Sequence, residues 1–570
     1  MLVFRSLTGY RPAWLGKDVV AGMTVWAVLV PEALAYATIA GVPPVVGLYA
    51  APAALVLYAA FGSSRHLVVG PMSATAALSA AVVAGVASRP GSDAVVLTAG
   101  LAVVAGVIAV GAGLLRLGFL AGFISEPVLK GFIVGLALTI IVGQLPKLLG
   151  VDGGDGEFFE KLWALIGHLG EVNGWSLAVG VPALLLVLVF MRYLPLVPAS
   201  LIVVACGVLA AVLLGLEDRG VAVVGDIEPG LPSIGVPALA LGDYLALVAG
   251  GAGIVLVGFS EGLGAAKTYA AKAGYDVDPN RELLGLGAAN LGAGLMSGMV
   301  VNGSLSKTAV NGTAGARSQV SGLVVSGLTI VTLLVLTPLF EQLPEPVLAA
   351  VVIAAVIELV DVGGLRELFR VWTRRLGSIY GVAARADFLA ALAALVGVLV
   401  FGTLAGLFVG IAMSALLLLY RASRPNLAIL GRIPGETQVW ADVARHPGAE
   451  QTEGVSVIRV ESGLFFANAE HVRSGIREVG EQPGMRGVVL DVETVPFVDV
   501  TAARMLAALA RDLDAKGVRL LLARDVGQVR DVLRSAGPAD LVHDVHPDLD
   551  TAVREVTARR PSTGSGGDAD

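Results

Sequence analysis

One polar stretch inside a long apolar region carries residue types suited to binding an anion. Residues 301–310 have the sequence Val-Asn-Gly-Ser-Leu-Ser-Lys-Thr-Ala-Val, which places two hydroxyls and a cation directly after an Asn-Gly turn signal. We expect Ser304, Leu305, Ser306 and Lys307 to open a short helix, whose first N–H groups have no partner within the helix. Such an N-terminus carries about half a positive charge, and Lys307 adds a full one. These four residues are therefore predicted to bind a small anion.

A second short stretch, in the first half of the chain, has matching features. Residues 70–76 have the sequence Gly-Pro-Met-Ser-Ala-Thr-Ala. Proline is favourable in a first helical turn, and Ser73, Ala74 and Thr75 offer hydroxyls and free N–H groups there. Two such helix N-termini facing each other would hold one anion between them. The alternatives are a proline kink, small residues that pack between helices, and a Lys307 side chain that extends to the membrane interface.

Two carboxylates and one tyrosine lie inside apolar runs. Glu32 and Tyr36 are four residues apart, so they share one face of a helix. A carboxylate inside a membrane is costly unless it is protonated or paired, which makes Glu32 a candidate for proton coupling. The alternative is a structural ion pair with a basic neighbour such as Lys307. Glu261 is the second candidate, in the first segment of the second half, and its alternatives are solvation or a hydrogen bond to the backbone.

The elements that must position these residues are membrane helices. The chain has 570 residues, of which 56% are hydrophobic and 15% charged, with a mean hydropathy of +0.81. Apolar runs near 20 residues, each long enough to cross a bilayer, recur up to about residue 420. We predict fourteen membrane segments, at residues 19–39, 45–61, a short one from 72, 95–115, 128–145, 175–190, 198–216, 244–263, 283–300, a short one from 304, 320–339, 347–359, 388–401 and 404–420.

The charges between these segments alternate in sign. Lys and Arg concentrate before the first segment and after the even-numbered ones, whereas Asp and Glu follow the fifth, seventh and eleventh. Because basic loops stay in the cytoplasm, both termini are predicted to be cytoplasmic, in a bacterial inner membrane. The third and tenth segments are short and occupy the third place in each set of seven, which is the pattern of a transport site in an inverted repeat.

The chain divides by composition into a membrane part and a soluble part. We assign residues 1–17 to a cytoplasmic N-terminal segment, 18–424 to the membrane domain, 425–453 to a linker, 454–558 to a soluble domain and 559–570 to a disordered tail. Cys206 is the only cysteine, which excludes disulfides within the chain. The net charge of −7 argues against nucleic acid. The six histidines show no metal-ligand or triad-like spacing, so we expect no enzyme activity, metal or cofactor.

The soluble part has the pattern of a small α/β domain. We predict strands at residues 455–460, 464–467, 488–492 and 518–523 and an amphipathic helix at 501–516. Asp499 or Thr501 is placed to cap that helix.

Several stretches together resemble the SulP sulfate-permease family of anion transporters, across nearly the whole chain. They are residues 31–37, 41–44 with 47–49, 61–66 leading to Gly-Pro at 70–71, 125–132, 280–283 with Gly287 and Asn290, and 303–309 with Gly315. The resemblance implies a seven-plus-seven inverted repeat with gate and core domains, an anion between half-helices three and ten, a C-terminal STAS domain and a homodimer.

The chain departs from the family pattern at three positions. Many relatives have Arg where this chain has Lys307, so the charge is kept but bidentate oxyanion geometry is lost. Sodium-coupled relatives carry an Asp followed one turn later by a hydroxyl. Here Glu261 is followed by Ala265, which favours protons over sodium. In related anti-sigma-factor antagonists a phosphorylated serine follows the capping Asp. Val500 stands there in this chain, although Thr501 remains available.

These observations favour a secondary transporter that moves an inorganic oxyanion, most plausibly sulfate, inward with protons. Its partners would be a small inorganic or organic anion, protons, the lipid bilayer, a second copy of the chain and a cytoplasmic protein bound to the STAS domain. Bicarbonate and C4-dicarboxylates remain open as substrates on the same fold. A membrane-anchored anion sensor and a passive anion channel remain open as other classes, whereas the STAS tail and Lys307 argue against a nucleobase permease.

Overall fold

The computed structural model describes residues 3–87, 93–122, 125–154, 156–194, 197–225, 227, 230–370, 386–436, 438–536 and 545–558. The described residues fall into two compact units, one up to Ala415 and the other from Leu416 onward. The disordered tail predicted at 559–570, and part of the basic loop after the twelfth segment, lie outside the described residues.

The first unit is helical. The elements of its first half are α1 (Leu15–Ile39), α2 (Pro44–Phe61), β1 (Val68–Gly70), α3 (Ser73–Ala87), α4 (Ala94–Leu114), α5 (Glu126–Leu149), α6 (Phe158–Gly167), α7 (Gly174–Tyr193) and α8 (Ala199–Leu214). Those of its second half are α9 (Leu241–Ala273), α10 (Pro279–Leu295), β2 (Asn302–Ser304), α11 (Leu305–Thr313), α12 (Val320–Val331), α13 (Pro338–Glu341), α14 (Glu345–Ile357), α15 (Val362–Arg370), α16 (Ala386–Phe401) and α17 (Thr403–Ser423).

A helix occurs at each of the fourteen predicted membrane segments. Among the described residues, eight helices are long and apolar enough to cross a membrane. The prediction of a helical membrane domain is confirmed, and the number of crossings stays a prediction.

Glycines allow the membrane helices to approach to backbone contact. A Cβ atom added to Gly131 in α5 would lie 1.9 Å from the carbonyl oxygen of Ala391 in α16. In the crossing of α4 with α10, a Cβ on Gly106 would lie 2.9 Å from the oxygen of Gly287, and the converse distance is also 2.9 Å. Because lipid offers no hydrophobic drive between helices, such close packing is a main source of their association.

The two short strands bring the two half-helices together. β1 and β2 pair antiparallel, with Val68 opposite Ser304 and Gly70 opposite Asn302. Both strands are buried, so their backbone groups have no water to bond and must bond each other. The Asn-Gly pair at 302–303, expected to form a turn, is therefore extended. Because α3 and α11 begin beside these strands, their N-termini lie next to each other.

One buried carboxylate holds the loop between α2 and β1, and a second holds the segment after α11. Glu282, at the start of α10, accepts hydrogen bonds from Tyr58 Oη (2.7 Å), Ser63 N (2.8 Å), Ser63 Oγ (2.7 Å) and Ser64 N (3.0 Å). Asp18, near the start of α1, accepts from Arg317 N (2.6 Å) and Ser318 Oγ (2.7 Å). Both carboxylates are fully buried, and charge-assisted bonds of this kind are the strong ones.

The loop between α2 and β1 is also bonded to α11 and to the segment that follows it. His66 Nε2 lies 3.1 Å from the oxygen of Ala316, and Asn311 Nδ2 donates to the oxygen of His66 at 2.9 Å. Gln319 Nε2 donates to Ser64 O at 3.1 Å and to Leu67 O at 2.8 Å. Both ends of the β1–β2 region are thereby fixed to the surrounding helices.

The second unit is a six-stranded sheet flanked by helices. Its elements are β3 (Leu427–Arg432), β4 (Trp440–Asp442), β5 (Val455–Val460), α18 (Ala469–Gly480), β6 (Gly487–Asp491), α19 (Val500–Asp514), β7 (Arg519–Ala523), α20 (Gly527–Ala536), β8 (Val545–His546) and α21 (Leu549–Ala558). The strand order is β4-β3-β5-β6-β7-β8. Strands β5 to β8 run parallel, and β3 is antiparallel to both of its neighbours. The predicted small α/β domain is confirmed.

Two assignments in this unit differ from the structure. Residues 425–453, expected to be a linker, contain β3 and β4, because Leu427 to Leu430 pair with β5. Residues 464–467, expected to be a strand, form a turn after a single bridge from Leu464 to Val498. The backbone N–H groups of this segment bond to side chains instead of to a neighbouring strand. Phe465 N donates to Asn468 at 3.0 Å, and Phe466 N donates to Asp499 at 2.8 Å.

Asp499 is the cap of α19. Its Oδ1 accepts from Ala502 N at 2.7 Å, which satisfies one of the free N–H groups of the first turn. Of the two predicted capping residues, Asp499 makes the bond.

We expect Gly131→Ala to destabilise the first unit by about 1–3 kcal/mol, the usual range for overpacking, because the new methyl group meets the backbone of Ala391. The thermal unfolding temperature of the purified protein in detergent measures this. Gly143→Ala is the matched control in α5, since nothing lies within 4 Å of its added Cβ. Equal unfolding temperatures for the two variants would contradict the close contact between α5 and α16 at Gly131.

Asp548 gives the second unit a pH-dependent helix cap. Hydrogen bonds from the backbone N–H (2.7 Å) and hydroxyl (2.9 Å) of Thr551 hold the pKa of Asp548 below its usual value. A lowered pKa means that this stabilisation is present above about pH 4 and is lost as the pH falls through the folded-state pKa.

We expect Asp548→Ala to loosen α21 by about 1 kcal/mol at neutral pH, measured by hydrogen exchange of the amides of Leu549–Ala558. Asp548→Asn should keep most of the protection, since Asn also caps, and should lose its acid dependence. Unchanged protection in Asp548→Ala would show that the cap contributes nothing.

Candidate anion-binding site

The start of α11 is shaped by its own side chains. Ser304 ends β2 and its Oγ accepts a hydrogen bond from Lys307 N at 3.2 Å, which caps the helix. Thr308 Oγ1 donates to Ser304 O at 2.5 Å and accepts from Val68 N at 3.1 Å. The helix N-terminus is thus tied both to the strand before it and to β1. The capping hydroxyl of Ser304 explains why the chain changes here from strand to helix.

The start of α3 is the other side of the same region. Ser73, Ala74 and Thr75 are buried, and Thr75 Oγ1 donates to Met72 O at 3.2 Å. The oxygen of Pro71 accepts a hydrogen bond from Lys307 Nζ at 3.3 Å. Lys307 therefore joins the two half-helices directly.

Lys307 is a buried cation with three partners. Its side chain is 2% exposed, and its Nζ lies 2.5 Å from Glu32 Oε2. The ammonium also lies 5.1 Å from the ring centroid of Tyr36, a cation–π distance. For Glu32, the sequence left open an ion pair with a basic neighbour such as Lys307. The structure contains this ion pair. In this arrangement the positive charge that would attract an anion is neutralised by Glu32.

One side of the first turn of α11 is open. Leu305 is 55% exposed and Ser306 is exposed, whereas Ser304 and Lys307 are buried. The Oγ atoms of Ser304 and Ser306 are 3.2 Å apart. The open side presents the Ser306 hydroxyl, with the buried Ser304 hydroxyl and the first N–H groups of a helix beside it. This donor set suits an oxyanion.

Glu261 lies on α9, which packs against β2. Cβ atoms added to Gly258 and Gly262 would lie 3.1 and 3.2 Å from atoms of the Asn302 side chain. Within the part of the chain that the structure describes, one oxygen of Glu261 is buried without a hydrogen-bond partner. No salt bridge joins Glu261 to Lys307 among those residues. The structure therefore brings Glu32, Tyr36 and Lys307 together with the two half-helices, and leaves Glu261 on the neighbouring helix.

Two asparagines that build the site, Asn290 and Asn302, were named in the sequence only as parts of motifs and were given no role in the site. Asn290 in α10 donates to Val301 O (2.9 Å) and accepts from Val301 N (3.0 Å), so its amide stands in for a strand neighbour just before β2. Asn302 is buried, and in the described structure its Nδ2 has no hydrogen-bond partner. Asn290, Asn302 and Thr75 border a cavity of about 20 Å³, enough for one water. The sequence feature that could have identified them is a polar amide side chain inside an apolar segment.

Among the described residues, the His, Cys, Asp and Glu side chains form no group of three or more that could hold a metal ion. The donors near Lys307 are instead hydroxyl, ammonium and backbone N–H groups, which suit an anion.

A helical membrane unit with paired half-helices, followed by a small α/β domain, is the architecture of an anion transporter with a STAS domain. Sequence comparison agrees: the Sulfate permease family matches residues 15–384 and the STAS domain matches residues 446–552. The chain belongs to the sulfate permease family.

Relatives and solved structures cover nearly the whole chain. A Mycobacterium tuberculosis protein named "Probable sulfate transporter" is 36% identical over 554 residues, which is 96% of this chain and 97% of that protein. The chloroplastic sulfate transporter 4.1 of Arabidopsis thaliana is 30% identical, over 95% of this chain and 79% of that one. The murine Solute Carrier 26 family member A9 anion transporter, in the inward-facing state, has a TM-score of 0.86 at 24% identity, covering 98% and 94% of the two chains.

We expect the Lys307–Glu32 pair to have a large coupling energy. Removing one partner leaves a buried, unpaired charge, so Glu32→Gln and Lys307→Met should each cost about 3–5 kcal/mol, and the double variant should recover much of that loss. Thermal unfolding of the four proteins in detergent gives the coupling.

The exposed pair of Lys130 and Glu126, 2.8 Å apart, is the matched control and should couple by about 0–1 kcal/mol. A coupling between Lys307 and Glu32 no larger than this would contradict the buried pair.

Proposed function

We propose that this protein is a secondary transporter that takes up sulfate together with protons. The observation that carries the proposal is the buried Lys307, which links Glu32 to the start of both half-helices. The names of the relatives support sulfate as the substrate. In this proposal Ser73, Ala74, Thr75, Ser304, Leu305, Ser306, Lys307 and Tyr36 contact the anion.

The ion pair supplies a reason for proton coupling. With Glu32 ionised, an incoming sulfate meets a cation that is already neutralised and a carboxylate that repels it. Protonation of Glu32 frees Lys307, and two unit charges about 4 Å apart interact by about 4 kcal/mol at an effective dielectric constant near 20. Proton and sulfate therefore bind cooperatively.

Glu261 is the second proton site of the proposal. Its unpaired buried oxygen favours a protonated carboxyl, because an unpaired charge at membrane depth is costly. A neutral Glu261 keeps α9 free of charge beside β2 while the anion is bound.

Bicarbonate is the second candidate substrate. Lys307 offers a single ammonium rather than the two parallel N–H groups of Arg, so the site lacks geometry that would single out a tetrahedral dianion. A small monoanion fits the same donors, and so does one carboxylate of a C4-dicarboxylate.

We further propose that the protein is a homodimer in a bacterial inner membrane, with both termini cytoplasmic, no enzyme activity and a cytoplasmic protein partner for the STAS domain. The alternation of basic and acidic loops supports this orientation.

The test is uptake of labelled sulfate into proteoliposomes under an inward proton gradient. We expect the gradient to accelerate uptake, Glu32→Gln to abolish that acceleration, and Lys307→Ala to weaken sulfate binding about tenfold or more, the loss of a charged hydrogen bond. Glu126→Gln is the matched acidic control, with an exposed side chain, and should transport normally.

Competition identifies the substrate and tests the rival classes. Unlabelled sulfate should compete better than bicarbonate, fumarate or chloride. Uptake that ignores the proton gradient would overturn coupling. Sulfate binding without net uptake would indicate a sensor, and unsaturable currents would indicate a channel.

A further inference from the structure

A pocket distant from Lys307 lies where α2 and α4 end and α10 begins. Its volume is about 490 Å³. Phe61, Leu114 and Leu284 supply apolar walls, and Arg116 and Arg281 supply two guanidinium groups. A pocket that combines cations with apolar walls suits an amphiphile with a negative headgroup.

The charge in this pocket is positive. Arg116 is exposed, and no ion pair or hydrogen bond of its guanidinium occurs within the described ranges. Asp278 is the acidic group that lines the pocket, and it contacts the start of α10 and Arg281. Its Oδ1 accepts from Asn280 N (2.9 Å) and Arg281 N (3.4 Å) at the start of α10, while its Oδ2 lies 4.0 Å from Arg281 Nε. Two guanidinium groups and one carboxylate leave the lining with one net positive charge, which attracts an anion while Arg281 keeps its contact with Asp278.

The surface that continues from the pocket is apolar. Leu114 is 61% exposed and Leu115 is 74% exposed, directly before Arg116. Val107, one heptad before Leu114 on the same face of α4, is 59% exposed. In a membrane helix such residues face lipid tails, and an arginine at the helix end reaches the headgroup region. Arg116 follows this lipid-facing run directly, so its guanidinium can reach a lipid phosphate.

We propose that this pocket binds an anionic phospholipid, with the headgroup phosphate between Arg116 and Arg281 and an acyl chain along Leu114 and Val107 of α4. The backbone around the pocket is already connected: Gly118 N donates to Asn280 Oδ1 at 2.9 Å, across from the end of α4 to the start of α10. A bridging phosphate adds a second link between the same two helices. Because α10 also carries Glu282 and Asn290, the lipid stabilises the framework that positions β2.

The experiment is native mass spectrometry and thermal unfolding of the full chain in detergent with added phosphatidylglycerol, phosphatidylcholine or inorganic phosphate. We expect phosphatidylglycerol to bind and to raise the unfolding temperature more than the other two additives do. Arg116→Ala and Arg281→Ala should each weaken its binding about fivefold, the usual contribution of one basic residue near an anionic lipid.

Arg192→Ala is the matched control, since Arg192 is exposed near the end of α7, and it should bind the lipid as the wild type does. Equal effects of the two phospholipids, or retained binding in the Arg116→Ala/Arg281→Ala double variant, would overturn the proposal. An equal effect of inorganic phosphate would assign the site to a free anion and overturn the lipid. Counting bound lipid on the intact protein separates lost binding from lost folding.

Discussion

The first unit depends on a single constraint, the burial of a lysine ammonium within a helical membrane domain. Desolvation of a charge is so costly that Lys307 requires Glu32, the oxygen of Pro71 and the ring of Tyr36 around it. These partners come from α1 and from Pro71, two residues before α3. One buried side chain therefore joins three elements that are distant in sequence. Its ion pair with Glu32 is also the pair that, in the proposed function, couples proton binding to anion binding.

Much of the fold follows from the sequence because membrane helices have a strong signal. The apolar runs located a helix for every predicted segment, and the positions of residues 70–76 and 302–308 indicated paired half-helices. The strands β1 and β2 were not predictable, because three residues show no alternation and a buried strand forms only when its partner is present. Strands β3 and β4 were missed for the same reason, since β3 is defined by its pairing with β5.

The site was predictable in its residue types and less so in its contacts. Glu32 and Lys307 lie in different halves of the chain, so spacing could not decide between a coupling group and a structural partner, and the structure shows the pair. Asn290 and Glu282 contact only backbone and neutral side chains in the hydrogen bonds described. No local pattern distinguishes such positioning residues from ligands, because their partners are supplied by tertiary structure.

The pairing of β1 with β2 has a consequence for how the protein can move. Backbone hydrogen bonds between the strands fix the spacing of the two half-helices, so the gap between their N-termini cannot widen unless the ladder breaks. In the proposed transporter, the anion would then be carried in a gap of constant width between the N-termini of α3 and α11, while other helices rearrange around it. Substituting Ser73, Ser304 or Ser306 would change which hydrogen-bond donors line that gap, whereas the width of the gap is set by the main chain.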